Sequence, residues 1–179
     1  EITFQARKST SINQHSGVSC RVSIRGFEAI HGSALRRCLT TGEAKRVPRI
    51  SDIEMVFPAI TGKLEMEYDV EDRTETELLA DLSKRAIKTV FNKYFKLDQL
   101  ASIIQSFETG LQVTASQFQP SREYSQIFDA VPGLADAVQK LVDPTDPAAS
   151  ASAIEFIFEG LHLSNRINRD VVNEEIVYK

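Results

Sequence analysis

Residues 17–42, GVSCRVSIRGFEAIHGSALRRCLTTG, predict the best-defined helix of the chain. Ser19 can cap its start, because a serine oxygen there accepts a hydrogen bond from a backbone N–H two or three residues on. Gly42 can end it, since glycine readily takes the left-handed conformation found after many helices. Apolar residues at helical spacing predict the face that packs against the core, namely Val22, Phe27, Ile30, Ala34 and Cys38, widened by Leu35 and Leu39.

Arg21 lies in the first turn of this helix. Acidic residues are usual there, because the helix dipole is positive at its N-terminal end. An arginine at this position is ordinarily a solvated side chain. Its placement nevertheless raises the question of what negative group it could face.

Composition excludes some classes of function. The chain has 179 residues, 42% of them apolar and 26% charged, which is typical of one globular domain or two small ones. A net charge of −4 gives no overall attraction to nucleic acid. No apolar run approaches the roughly 18 residues of a membrane span. The sequence therefore predicts a protein that acts without nucleic acid or membrane.

The start of the chain and its two cysteines indicate what kind of polypeptide this is and where it is located. The chain starts at Glu1 without an initiator methionine or signal peptide, so we expect a part of a longer protein. On one helix, Cys20 and Cys38 would lie about 27 Å apart, too far to form a disulfide. Reduced thiols and a cytoplasmic location are expected.

Most of the remaining chain has helical periodicity. In residues 51–62, Ser51 and Glu54 have the spacing of a capping box, and Pro58 should kink or shorten the helix. Asp146 and Pro147 form a favourable start for the last helix. The other predicted helices are 74–94, 97–108, 121–131 and 134–142.

One segment alternates as a strand does. In residues 64–70 apolar side chains alternate with acidic ones, and residues 111–116 are the best partner for pairing. The last segment, 168–179, is expected to fray into a tail. The predicted fold class is therefore mainly α, with six or seven helices and at most a small two-stranded β element.

A search for catalytic or metal-binding motifs finds none. His15, His31 and His162 lack metal-ligand spacing, and residues 61–67, TGKLEME, lack the glycine and the Ser/Thr of a phosphate loop. Cys20 beside Arg21 has a setting that favours a thiolate, although a small buried residue is the commoner role. We predict no catalytic residue and no metal ligand.

Basic residues cluster around the end of the first long helix. They are Arg36, Arg37, Lys45, Arg46 and Arg49. Such a run is usually a solvated helix end, and the first two also suit the negative end of the helix dipole. A partner-binding role is the alternative interpretation.

Three segments carry a resemblance to a known family. Residues 16–43, SGVSCRVSIRGFEAIHGSALRRCLTTGE, and 47–68, VPRISDIEMVFPAITGKLEMEY, carry most of it, and residues 152–168, SAIEFIFEGLHLSNRIN, add to it. Together they resemble the C-terminal part of bacterial magnesium-chelatase-like AAA+ ATPases. These are relatives of the chelatase ATPase subunit and of the MoxR-type ATPases.

The resemblance implies a role for Arg21. In such ATPases a helical lid follows the α/β nucleotide-binding core, and a G-x-S-x-R-like element at the start of one lid helix carries the sensor-2 arginine. The segment GVSCR, residues 17–21, is similar to that element and places Arg21 on the arginine. The resemblance implies a lid domain over residues 1–62 and a mostly helical extension over 63–179.

The same resemblance implies partners and cofactors. An upstream core of the same chain would hold ATP and Mg²⁺, the full-length protein would form a homo-oligomeric ring, and a protein with a von Willebrand factor A domain is a possible partner. Residues 1–179 would then couple ATP hydrolysis by that core to remodelling of a partner protein, without hydrolysing or retaining nucleotide themselves. The alternative is a stand-alone α-helical interaction module without nucleotide function, in which GVSCR is a coincidental helix start.

Overall fold

The fold was analysed in a computed structural model. The structure describes residues 1–13, 15, 17–67, 74–173 and 175–179, with only the backbone of residue 129. The α-helices of this part are α1 (Ile2–Lys8), α2 (Cys20–Thr41), α3 (Val56–Ile60), α4 (Glu75–Tyr94), α5 (Ala101–Glu108), α6 (Ser125–Ala130), α7 (Leu134–Gln139) and α8 (Pro147–Leu163). The strands are β1 (Val113–Ala115), β2 (Arg169–Val172) and β3 (Glu175–Tyr178). The mainly helical fold class is confirmed.

The predicted limits of α2 are confirmed. The Ser19 hydroxyl accepts a hydrogen bond from the Arg21 backbone N–H at 3.2 Å. At the other end Gly42 has φ 73°, and its N–H donates to the carbonyl of Cys38. Local capping chemistry therefore sets both ends of this 22-residue helix.

The predicted buried face of α2 is partly wrong. Phe27, Leu35 and Leu39 are exposed, although their spacing predicted a widened core stripe. The buried face is narrower than the predicted one and is rotated around the helix axis. It includes small and charged residues: Val22, Gly26, Ser33, Ala34, Arg37 and Cys38. Small side chains let α3 approach closely, since a Cβ added at Gly26 would lie 3.3 Å from Val56.

Residues 50–60 are helical, but not as one α-helix. A 3₁₀ segment over Ile50–Met55 precedes the single-turn helix α3, which contains Pro58, so the predicted shortening fits. The predicted Ser51–Glu54 capping box is wrong. Instead the Asp52 carboxylate accepts from the Arg49 backbone N–H at 2.8 Å.

The sequence predicted that residues 64–70 pair with residues 111–116, and among the described residues this prediction is wrong. The sheet has three antiparallel strands in the order β1-β3-β2, so the predicted tail forms two of them. Val113 faces Tyr178, Ala115 faces Ile176, and all four side chains are buried. Met66, in the predicted partner strand, instead forms an isolated bridge with Ile12, while residues 68–70 lie outside the described residues.

Two apolar clusters form the core. The first lies between α1, α2, α3 and the start of α4, where Leu79 and Leu82 are fully buried. The second surrounds α8 and receives Phe91 from the end of α4. Because α4 contributes to both clusters, it joins them, and the domain boundary after residue 62 stays a prediction.

Candidate functional site

Arg21 lies on the surface at the start of α2. Its backbone N–H is satisfied by the Ser19 cap, while its side chain is exposed. The guanidinium makes no hydrogen bond or ion pair with any residue that the structure describes. No described residue therefore competes with a ligand for the donors of this guanidinium.

Arg21 borders a shallow cleft of about 610 Å³. The lining residues come from the start of α2 and from the turn after α3: Ser19, Arg21, Val22, Ile24, Arg25, Glu28 and Lys63. Of the charged members, Arg25 and Glu28 pair with each other at 2.9 Å and are both exposed. The cleft therefore keeps a net positive charge beside the positive end of a long helix dipole, a combination that favours phosphate or carboxylate.

Sequence reasoning found Arg21 but missed its two cationic neighbours. Arg25 follows by four residues, which places both arginines on one side of the helix, so the spacing was a usable signal. Lys63 lies within residues 61–67, where the sequence has no phosphate-loop motif that would indicate a site. It reaches the cleft because Gly62, at φ 72°, turns the chain after α3.

The other candidates from the sequence do not join this site. Cys20 is exposed, whereas Cys38 is buried and its thiol donates to the carbonyl of Lys45 at 3.1 Å. His31 stacks on Phe27 with ring centroids 4.1 Å apart. The described residues contain no group of three or more His, Cys, Asp or Glu side chains that could hold a metal ion.

The basic run around residue 40 is not simply a solvated helix end. Arg36, Lys45 and Arg46 are exposed, but Arg37 and Arg49 are buried, so that interpretation is wrong for these two. Arg37 donates to both Asp52 carboxylate oxygens at 2.9 Å and to the carbonyl of Val47 at 2.6 Å. The Ser33 hydroxyl adds a 2.6 Å hydrogen bond to Asp52.

Arg49 extends this buried network toward α8. Its guanidinium donates to the carbonyl of Gln119 and to the Ser121 hydroxyl, both at 2.7 Å, and lies over the Tyr124 ring at 4.9 Å from the centroid. Glu155 of α8 lies 3.9 Å from Arg49 and accepts from the Tyr124 hydroxyl at 2.6 Å. The network joins the second half of α2 to α8 through paired charges.

Burial raises the pKa of two acidic groups in this network. It raises the pKa of the Glu155 carboxyl, and the nearby Arg49 charge with the hydrogen bonds from Tyr124 and Ser51 partly opposes that shift. The pKa of the Tyr124 hydroxyl lies well above its ordinary value, mainly through burial and the Glu155 charge. Neither group is exposed, so these shifts belong to the scaffold that holds α2 in place.

Comparison with known proteins adds no assignment: no family model, curated protein or solved structure matches the chain. Within the described part, no helix has the length and apolar character needed to cross a membrane.

Proposed function

We propose that this chain is the C-terminal lid and extension of a magnesium-chelatase-like AAA+ ATPase, and that Arg21 contacts the phosphates of bound ATP as the sensor-2 arginine. Residues 1–62 form the lid in this proposal, and residues 63–179 serve assembly or partner binding. The observation that carries it is the exposed guanidinium of Arg21 at a capped helix start, which has no partner among the described residues and lies inside the segment that resembles the sensor element.

The geometry around Arg21 suits phosphate. An arginine presents a planar pair of N–H donors that matches phosphate oxygens. The helix start adds a positive dipole, and Arg25 and Lys63 add positive charge at the edge of the same cleft. A single arginine on an open surface does not hold a nucleotide, so ATP and Mg²⁺ would be bound by an upstream core of the same chain.

The wider assembly follows from the same resemblance. In the proposal the full-length protein is a cytoplasmic homo-oligomeric ring that couples ATP hydrolysis to remodelling of a partner, which could carry a von Willebrand factor A domain. No nucleic acid or membrane takes part.

The test is ATP turnover by the full-length protein carrying Arg21→Ala. Loss of one donor that stabilises developing phosphate charge should lower kcat by roughly 10²–10³-fold. Arg85→Ala is the matched control, because Arg85 is also an exposed helical arginine, and it pairs with Asp81 of the same helix at 2.8 Å. Full turnover by Arg21→Ala at saturating ATP, with assembly verified by light scattering, would refute the sensor role.

A helical interaction module without nucleotide function is the second candidate. The exposed apolar side chains along α2 favour it, because such side chains mark binding surfaces. Whether a phosphate loop precedes Glu1 in the full-length protein separates the two candidates. A phosphate loop some two hundred residues before Glu1 supports the ATPase, and a longer sequence without one supports the module.

A further inference from the structure

The outward face of α2 carries a continuous apolar row. Phe27, Leu35 and Leu39 are respectively 64%, 42% and 78% exposed, and Ile24 is 53% exposed. With His31, which stacks on Phe27, they follow one another at intervals of three or four residues. We call Ile24, Phe27, His31, Leu35 and Leu39 the α2 ridge.

The α2 ridge has the form of a helix-packing surface. Side chains four residues apart make the ridge that fits the groove of a second helix in globular proteins. The opposite face of α2 packs against α3 and the 3₁₀ segment before it, so the exposed large apolar side chains of α2 are confined to this row. A narrow row suits a helix better than a lipid surface, which requires a broad apolar face.

Charge is distributed unequally beside the α2 ridge. At about 100° per residue, Arg21, Arg25 and Arg36 lie along one edge of it. Glu28 lies on that edge and is paired with Arg25, while Arg36 donates to the Gln117 side chain at 3.0 Å and lies over the Phe118 ring. The opposite edge, formed by Ser23, Ile30 and Thr41, has no charged residue of α2, and Glu1 lies beside it, in a pocket that Ser23 and Ile30 also line.

We propose that the α2 ridge docks an amphipathic helix of a partner protein, with Glu or Asp residues along one edge of its apolar face. The apolar row supplies contact area, and the arginine edge selects the charge and orientation of the partner. A second copy of the chain fits less well, because antiparallel symmetric pairing of two α2 helices brings their arginine edges together. The proposal does not rest on the proposed ATPase role, because Leu35, Arg36 and Leu39, which the test changes, do not line the cleft beside Arg21.

The test is selection from a displayed library of 18-residue helices. Apolar positions are fixed at spacings of three and four, and the flanking positions vary among Glu, Lys, Gln and Ser. We expect the intact chain to enrich helices with Glu on one edge. Leu35→Ser with Leu39→Ser, and separately Arg36→Glu, should each raise their Kd at least tenfold, whereas the control Val171→Ser, at an exposed valine of β2, should leave it unchanged.

Each other outcome overturns the proposal. Equal enrichment of Lys-edged helices, absence of enrichment, or binding that survives Leu35→Ser with Leu39→Ser would show that the α2 ridge does not select an acidic helix. Self-association in sedimentation that the double substitution abolishes would assign the ridge to a second copy. Binding to phosphatidylserine vesicles that it abolishes would assign the ridge to a lipid surface. Circular dichroism of each variant checks that α2 remains folded.

Discussion

Arg37 and Asp52 form an ion pair that is almost completely removed from water. Their side chains are 1% and 0% exposed, and Asp52 also accepts from Ser33 and from the Arg49 backbone. Such a pair adds little net stability compared with apolar residues of similar volume. Removing one partner is costly, because it leaves the other charge buried without compensation.

Asp52→Ala should therefore lower the free energy of unfolding by about 3–5 kcal/mol. Urea denaturation followed by circular dichroism measures the change. The matched control is Glu28→Ala, which breaks the exposed pair with Arg25 and should cost no more than about 1 kcal/mol. Similar losses for the two variants would contradict the burial of Arg37 described above.

Glu155 should make stability depend on pH. Its pKa in the folded protein is raised above the ordinary 4.5, so the folded state binds more protons than the unfolded state just above that pH. The contribution of Glu155 to stability is therefore largest below pH 4.5 and falls as pH rises through the raised pKa.

Glu155→Gln should remove this decrease in stability with rising pH. We expect the free energy of unfolding of the wild type, minus that of Glu155→Gln, to decrease steadily as the pH rises above about 4.5. Urea denaturation over a pH series measures that difference. A difference that stays constant with pH would show that the Arg49 charge and the hydrogen bonds balance the burial of Glu155, and an increase would show that they outweigh it.

At the scale of elements, two helical glycines with opposite surroundings test the packing. A Cβ added at Gly160 of α8 would lie 2.0 Å from the Phe91 ring, whereas one added at Gly32 of α2 would meet nothing within 4 Å. The first glycine is required by the contact between α4 and α8. The second has no packing reason in the structure.

Gly160→Ala should lower the melting temperature, with an overpacking cost of about 1–3 kcal/mol. Gly32→Ala should raise it, since alanine favours the helix over glycine by about 0.5–1 kcal/mol. Thermal denaturation of the two single variants measures both changes. A Gly160→Ala protein as stable as Gly32→Ala would contradict the close packing of α8 on α4.

The elements that local chemistry defines could be predicted from the sequence, and those defined by distant contacts could not. The limits of α2 follow from Ser19 and Gly42, which act within a few residues. The sheet forms because β3 pairs with β1, which lies about sixty residues earlier, and the short alternating segment at 64–67 resembled a strand just as well. Short strands carry too little pattern to specify their partners.

The same distinction between local chemistry and distant contacts applies to the candidate site. Arg21 could be proposed as a site residue because a predicted helix start and the resemblance lie in one segment. The burial of Arg37 and Arg49 could not, because their partners Asp52, Ser121 and Glu155 are dispersed along the chain. Phe27, Leu35 and Leu39 of the α2 ridge have the spacing of a core face but are exposed, since helical spacing shows which residues share a side of the helix but not whether another element covers that side.

At the scale of the whole molecule, α2 links the proposed sensor to the rest of the fold. Its 22 residues span about 33 Å, with Arg21 exposed at one end. Near the other end, Arg37 joins the buried network that reaches Glu155 of α8. A phosphate contact at Arg21 would therefore act on a helix that is anchored to the extension, which is how a lid could transmit the state of the nucleotide.

Whether Arg21 recognises the phosphates of ATP is tested most directly by comparing ATP and AMP binding to the full-length protein with and without Arg21→Ala. A charge-assisted hydrogen bond contributes about 1.5–3 kcal/mol, so we expect the Kd for ATP to rise roughly 10–100-fold, while the Kd for AMP changes less than twofold. Isothermal titration calorimetry measures both, with Arg85→Ala as the control. An unchanged Kd for ATP, or equal losses for ATP and AMP, would contradict the phosphate contact of Arg21.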